Sequence, residues 1–315
     1  MKKEWVKYIC DPVDRTDLAI SSIEEMDGNY IVSGMLVSEN GKKYRIKNGV
    51  PILITDKSQT ISSVESFGFE WNKFAFSLAK EGWLKDVVYP IVGDSSFFKD
   101  KVIVDAGAGS GVQSCWIAEA GAKFVFSLEL SDSATSAVLE TTRSYKDRIF
   151  VIQTDISNPP INTKNITIDA VYCVNVIQHT EDPRRATASL SSLLERGGYF
   201  IYNIYMERGR GLLIKMLDCI RKIISKLPYG VVKFFCLVLA CLIYPISAIS
   251  LMRPSIKKYL PTGHSFKETW LNIYDILGAH EYQKFYTRKE VEDIIKNADC
   301  VIAKESYYGF LLRKN

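Results

Sequence analysis

The sequence predicts an α/β fold whose sheet is largely parallel and covered on both faces. Two observations point there. From Lys101 onward, short apolar runs alternate with helix-length segments at close spacing. Those runs are continuously apolar rather than alternating, as strands buried on both faces require.

Taken in order, "KVIVDAG" reads as a buried strand ending in glycines and "VQSCWIAEAG" as a helix closed by Gly121. "KFVFSLEL" is a second strand, and Asp132 is expected to cap the helix "SATSAVLETTR". "RIFVIQTD" and "IDAVYCVNVI" supply the third and fourth strands, "PRRATASLSSLLER" a helix, and "GGYFIYNIY" the fifth strand. Near the end, "TRKEVEDIIKNAD" places Thr287 as N-cap with Glu290 three residues on, the pattern of a capping box. "CVIAKE" and "YGFLLR" finish the sheet.

The chain divides by composition. Residues 1–56 read as a small β-rich module, with apolar runs broken by Gly and Asn-Gly turn signals. Residues 57–100 are a linker with aromatic helices, including "FGFEWNKFAF". Residues 101–315 form the main domain, with a helical insertion at 208–267.

Charge is unevenly placed. Of a net +4, the stretch from Arg208 to Lys267 holds eleven Lys or Arg and one acid, Asp218, so it carries +10 and the rest −6. A basic, apolar segment set into an acidic body suits an anionic or interfacial partner. Seven cysteines with no C-x-x-C pair argue for reduced thiols rather than a zinc site or disulfide framework. The opening "MKKEWVKYICDPVDRTD" has no apolar core of signal-peptide length, so the body is expected in the cytoplasm.

Gly107, Gly109 and Gly111 stand between the first strand and the first helix, where glycine lets the backbone turn tightly and approach a ligand. A dinucleotide site would show G-x-G-x-x-G with pyrophosphate at the helix N-terminus. Here the spacing is G-x-G-x-G, and Asp105 precedes the first glycine by two residues. The second strand ends in Glu129, whose two acceptor oxygens suit ribose hydroxyls. The third ends in Asp155, placed to accept from an exocyclic amine. Three carboxylates at consecutive strand ends suit a positively charged nucleoside better than a phosphorylated one.

With "DAGAGSG", the Glu129 strand end, "QTD", "VNVIQHTEDP" and "LLERGGYFIYN" in this order, the chain resembles class I S-adenosylmethionine-dependent methyltransferases of the small-molecule, methyltransferase type 11-like kind. The resemblance covers residues 100 to 205 well and the last thirty residues more weakly. The resemblance implies a Rossmann-like seven-stranded sheet with an antiparallel last strand and S-adenosyl-L-methionine at the strand C-termini. It implies that Asp105, Gly107, Ala108, Gly109 and Gly111 line the methionine end and that Glu129, followed by Leu130, takes the ribose. Asp155 and Ile156 would border the adenine, and Asn175, Val176 and Gln178 would floor the site near the sulfonium.

The acceptor side is less determined. His179 lies just beyond the fourth strand, where it serves either as general base or as a turn-stabilising residue. "YDILGAHEYQKFYT" resembles a segment that returns to the active-site mouth, which makes His280, Tyr274 and Asp275 acceptor-side candidates beside a loop-filling role. The front resembles a zinc-ribbon-like module that has degenerated. Cys10 stands alone, and one thiolate builds no tetrahedral site, so Tyr44, Ile46, Val50, Ile52 and Leu53 must hold the module by burial.

Within the insertion, "LLIKMLDCIRKIISKLP" is a basic amphipathic pattern, with Lys215, Arg221, Lys222 and Lys226 largely opposite its apolar face. The following run, "FFCLVLACLIYPISAISLM", carries no charge over residues 234–252. A single membrane crossing there would separate strands that belong to one sheet. A lid packed on the body, a re-entrant turn at Pro245, or a peripheral membrane contact through 212–252 avoids that conflict.

The sequence thus reads as an S-adenosylmethionine-dependent methyltransferase acting, most readily by O-methylation, on a small-molecule or lipid-linked acceptor, cytoplasmic or peripheral at the membrane. A catalytically silent methyltransferase-like binding or scaffold protein is the alternative, and a nicotinamide oxidoreductase ranks third. No basic groove interleaved with aromatics is visible, which argues against a nucleic-acid partner.

Overall fold

The computed structural model describes residues 1–55, 80–207, 229–248, 265–277 and 284–315, together with positions 211, 214, 219–221, 224 and 227. The stretch "FGFEWNKFAF" lies outside the described residues. Two compact units divide the chain: unit 1 comprises Met1–Met206 and Tyr286–Asn315, and unit 2 comprises Glu207–Phe285.

Unit 1 is organised by one sheet, with strands β1 (Leu18–Asp27), β2 (Tyr30–Ser38), β3 (Lys43–Lys47), β4 (Val50–Leu53), β5 (Val102–Ala106), β6 (Phe124–Glu129), β7 (Ile149–Thr154), β8 (Ile168–Cys173), β9 (Leu194–Tyr202), β10 (Cys300–Glu305) and β11 (Phe310–Lys314). Their spatial order is β1-β2-β3-β4-β7-β6-β5-β8-β9-β11-β10. The block from β4 through β9 is parallel, and β11 runs antiparallel to both β9 and β10. Helices α1 (Val112–Glu119), α2 (Asp132–Thr142), α3 (Pro183–Ser191) and α6 (Arg288–Asn297) belong to this unit.

Period-two geometry explains why the central strands are apolar throughout. Every residue of β5 is buried. Val102, Val104 and Ala106 enter one core with Phe126, Phe150 and Phe200, while Ile103 enters a second with Trp83, Phe98 and Ile117. Each face is therefore a dry interior, as the uninterrupted apolar runs required. Local signals mostly hold. Thr287 and Glu290 form the capping box on α6. At α2 the cap is Ser131, not Asp132: Ser131 Oγ accepts the Ala134 N–H, and Asp132 occupies the first turn, where its charge favours the helix dipole.

The front residues do not pack separately. β4 pairs in parallel with β7 through Ile52–Gln153 and Leu53–Thr154, so β1–β4 extend the central sheet. Trp5 packs against Phe124 and Phe150. Tyr44, Ile46, Val50 and Leu53 are buried, whereas Ile52 is half-buried. Polar contacts complete the front. Tyr44 donates to Asp11 Oδ2 at 2.7 Å, and Arg15 donates to the carbonyls of Pro159 and Ile161. Cys10 is buried, and no group of metal-ligating residues is found among the described residues.

In unit 2, α4 (Tyr229–Ala248) and α5 (Phe266–Leu277) pack around Val232, Cys236, Ala240, Ile273, Tyr274 and Leu277. α4 continues through Pro245 to Ala248, so the chain makes no re-entrant turn at that residue. Arg221 is also not on a solvated face. It is buried, with its guanidinium over the Phe285 ring at 5.5 Å, because a flat cation on an aromatic face is favourable where water is scarce. No helix among the described residues is long and apolar enough to cross a membrane.

Candidate functional site

The site is assembled at the C-terminal edge of β5, β6, β7 and β8. Between β5 and α1, Gly107, Gly109 and Gly111 all adopt positive φ, at 84°, 57° and 77°. Space as well as conformation demands glycine. A Cβ on Gly107 would fall 2.5 Å from Val176 Cγ2, and one on Gly111 3.0 Å from Val138 Cγ1. The N–H groups of Gly107 and Ala108 both donate to the Leu128 carbonyl at 2.9 Å, which lays the loop against the end of β6.

Glu129 ends β6 as the sequence placed it. Its Oε2 accepts from the Gly109 N–H at 2.8 Å, and its Oε1 accepts from Leu130 N–H at 2.9 Å and Ser131 N–H at 3.0 Å. Burial raises its pKa, and the three backbone donors partly offset that rise. The carboxylate fixes the glycine loop and keeps acceptor capacity on Oε2.

Asp105 is almost wholly buried beneath the loop and accepts from Ser114 Oγ, which also lies 2.9 Å from Ser127 Oγ. Burial pushes its carboxyl up to about 7, with Ser114 opposing and the nearby Glu129 charge reinforcing the shift. It thereby ties α1 to β5 and β6 under the loop. Asp155 follows β7, and its Oδ1 accepts from Ser157 N–H at 2.8 Å. Ile156 beside it is buried.

Beyond β8, Asn175 holds a positive φ of 62° and Val176 packs beneath Gly107. Gln178 is 1% exposed, and its amide nitrogen and oxygen have no hydrogen-bond partner among the described residues. His179 closes a 3-10 turn, with its ring edge-on to Tyr205 at 5.7 Å. His280 and His264 lie outside the described residues. Tyr274 is buried in the core of unit 2, and the side chain of Asp275 lies outside the description.

Two sets of residues were missed by sequence reasoning. Asn203, after β9, accepts from Asn175 N–H at 3.3 Å and donates to the Tyr308 carbonyl, tying the β8 loop to the β10–β11 turn. Tyr172 on β8 accepts from Trp83 Nε1 at 3.0 Å and donates to Gln113 Oε1 at 2.7 Å in the first turn of α1. Only "FIYN" at the end of a predicted strand hinted at Asn203. Nothing local distinguishes Tyr172 from a core tyrosine.

Comparison with known proteins follows the same residues. Residues 104–202 match the family described as "Methyltransferase domain". The chain is 41% identical over 80 residues to protein arginine N-methyltransferase 1 of Oryza sativa subsp. indica, covering 23% of this chain and 21% of the relative. It is 32% identical over 130 residues to protein arginine N-methyltransferase 1 of Caenorhabditis elegans, covering 38% and 34%. It thus spans about a fifth to a third of these relatives' lengths. Magnesium protoporphyrin IX methyltransferase from Synechocystis, solved with bound SAH, aligns over 80% of this chain and 86% of its own with 13% identity and a TM-score of 0.39.

Proposed function

We propose that this chain, whose residues 104–202 match the family described as "Methyltransferase domain", is a class I, S-adenosylmethionine-dependent methyltransferase that methylates an oxygen on a small or lipid-linked acceptor. The observation that most supports the cofactor side of this reading is the clasp between Glu129 and the Gly109 N–H. It fixes a glycine cradle and a ribose-type acceptor at adjoining strand ends.

The residues fit the cofactor. A Cβ at Gly107 would collide with Val176, so the loop must stay bare there, and the buried amide of Gln178 retains unused donors and an acceptor facing no protein partner among the described residues. When bound, S-adenosylmethionine supplies an activated methyl group and a neutral thioether leaving group. Gly107, Ala108, Gly109 and Gly111 would hold the backbone close to it, and Glu129 Oε2 would accept from a ribose hydroxyl. Asp155 and Ile156 would border the base, and Asn175, Val176 and Gln178 would floor the reacting end. The chain's main task is alignment in a dry site. His179, edge-on to the Tyr205 ring, would take the proton of the acceptor hydroxyl.

A protein guanidinium acceptor is the second reading, favoured by the identity with arginine methyltransferases. Incubation with methyl-labelled S-adenosylmethionine and fractionated extract separates them: label in lipid or small molecules supports the first, label in protein the second. His179→Ala should lower kcat by about 10²–10⁴ while cofactor affinity in calorimetry stays unchanged. Absence of any cofactor binding would instead support a silent scaffold.

A further inference from the structure

The apolar run that attracts notice in the sequence becomes, in unit 2, a helix with two unlike faces. Val232, Cys236 and Ala240 face inward onto α5 and are fully buried. On the other side Val231, Phe234, Phe235, Val238, Leu242 and Ile246 are exposed, Phe234 by 67% and Leu242 by 62%. Apart from the adjacent pair Phe234 and Phe235, they follow one another at three or four residues, which puts them on one stripe. At about 1.5 Å per residue the stripe runs for roughly 22 Å. Two phenylalanines and four aliphatic side chains in one uninterrupted row exceed the scattered apolar exposure of an ordinary surface.

Three observations identify what covers it. α4 contains one charged residue, Lys233, and no acid. The surrounding segment from Arg208 to Lys267 carries eleven cations against Asp218 alone. A second copy seated on the stripe would bring two such +10 segments together, an unfavourable encounter. An anionic surface is attracted by the same charge. Finally, the chain leaves unit 1 at Met206 and returns at Tyr286, and these two residues form a β-bridge. Both ends of unit 2 therefore emerge on one side of any bilayer, which forbids a single crossing, and no helix among the described residues is long and apolar enough to make one.

We propose that α4 docks unit 2 onto an anionic lipid surface by inserting the Val231–Ile246 stripe among the acyl chains, drawn there by the net positive charge of the 208–267 segment. This does not rest on methyl transfer, and the two readings fail separately.

The test uses the full-length protein, sedimented with vesicles of phosphatidylcholine alone or of phosphatidylcholine with phosphatidylglycerol, at low and high salt. The expected result is pelleting with the anionic vesicles, weakened by salt, with partitioning reduced at least about tenfold by Phe234→Glu combined with Leu242→Glu. That double variant should keep its circular dichroism spectrum and its affinity for S-adenosylmethionine. If it loses helical signal, Phe234→Ser carries the comparison in its place. No pelleting of the parent, or undiminished pelleting of the variant that folds, overturns the proposal. So does a concentration-dependent dimer split by the same substitutions in the absence of vesicle binding, which would assign the stripe to a second copy.

Discussion

Glu129 Oε2 accepts the backbone N–H of Gly109 across twenty residues of chain, at 2.8 Å. The contact joins the glycine loop to the neighbouring strand end, so the carboxylate proposed to take the ribose also sets the loop's shape. Glu129→Gln should therefore affect both properties. One oxygen becomes an amide donor facing backbone N–H groups, and calorimetry should show cofactor affinity down about 10- to 100-fold. Urea unfolding should show a stability loss of about 1–3 kcal/mol.

Gly107→Ala meets two obstacles, a φ of 84° and the Val176 methyls at 2.5 and 2.6 Å. Backbone strain costs about 1–3 kcal/mol and overpacking a similar amount. Adding Val176→Ala should recover the packing portion only. A thermal-melt series of the two single variants and the double variant separates the portions, and full recovery would show that conformation was not limiting.

Asp105 titrates from the usual 3.8 in the unfolded chain to about 7 in the fold. Between those values the folded state holds the extra proton, so stability attributable to this group falls as pH rises from about 4 to 7 and levels above 7. Exposed carboxylates such as Asp94 and Asp147 shift downward and act in the opposite sense. The informative quantity is thus the difference between parent and Asp105→Asn, which should favour the parent most below pH 4 and least above pH 7. A pH-independent difference would contradict it.

Tyr172→Phe leaves the Trp83 indole N–H and the Gln113 carbonyl without their hydroxyl partner. Trp83 is buried, so the loss should reach about 1–3 kcal/mol in denaturant unfolding, more than Tyr199→Phe on the adjacent strand. A double-mutant cycle with Gln113→Ala should give a coupling of about 0.5 kcal/mol or more.

The sequence was legible wherever chain neighbours do the work. The glycine loop, Glu129 at a strand end and the Thr287–Glu290 box are each specified within a few residues. Partners supplied from afar were not legible. Asn203 meets Asn175 and Tyr308 only once three strands have assembled. The front strands join the sheet through two residue pairs between β4 and β7, which lie about a hundred positions apart in the chain. Arg221 was assigned to a polar face because periodicity counts its charge, while the Phe285 ring that accommodates it lies sixty-four positions later. Ser131 and Asp132 are both sound caps, and choosing between adjacent ones requires backbone geometry.

The bridge between Met206 and Tyr286, reinforced by the Tyr286 N–H donating to the Tyr205 carbonyl at 2.8 Å, closes the core on itself before unit 2 begins. The intervening segment is topologically a cassette, plugged into a socket whose two terminals already touch. Replacing residues 207–285 with a few glycines would demand no stretching of the sheet. A lineage could exchange the whole plug, and with it the surface addressed, without rewriting a residue of the cradle.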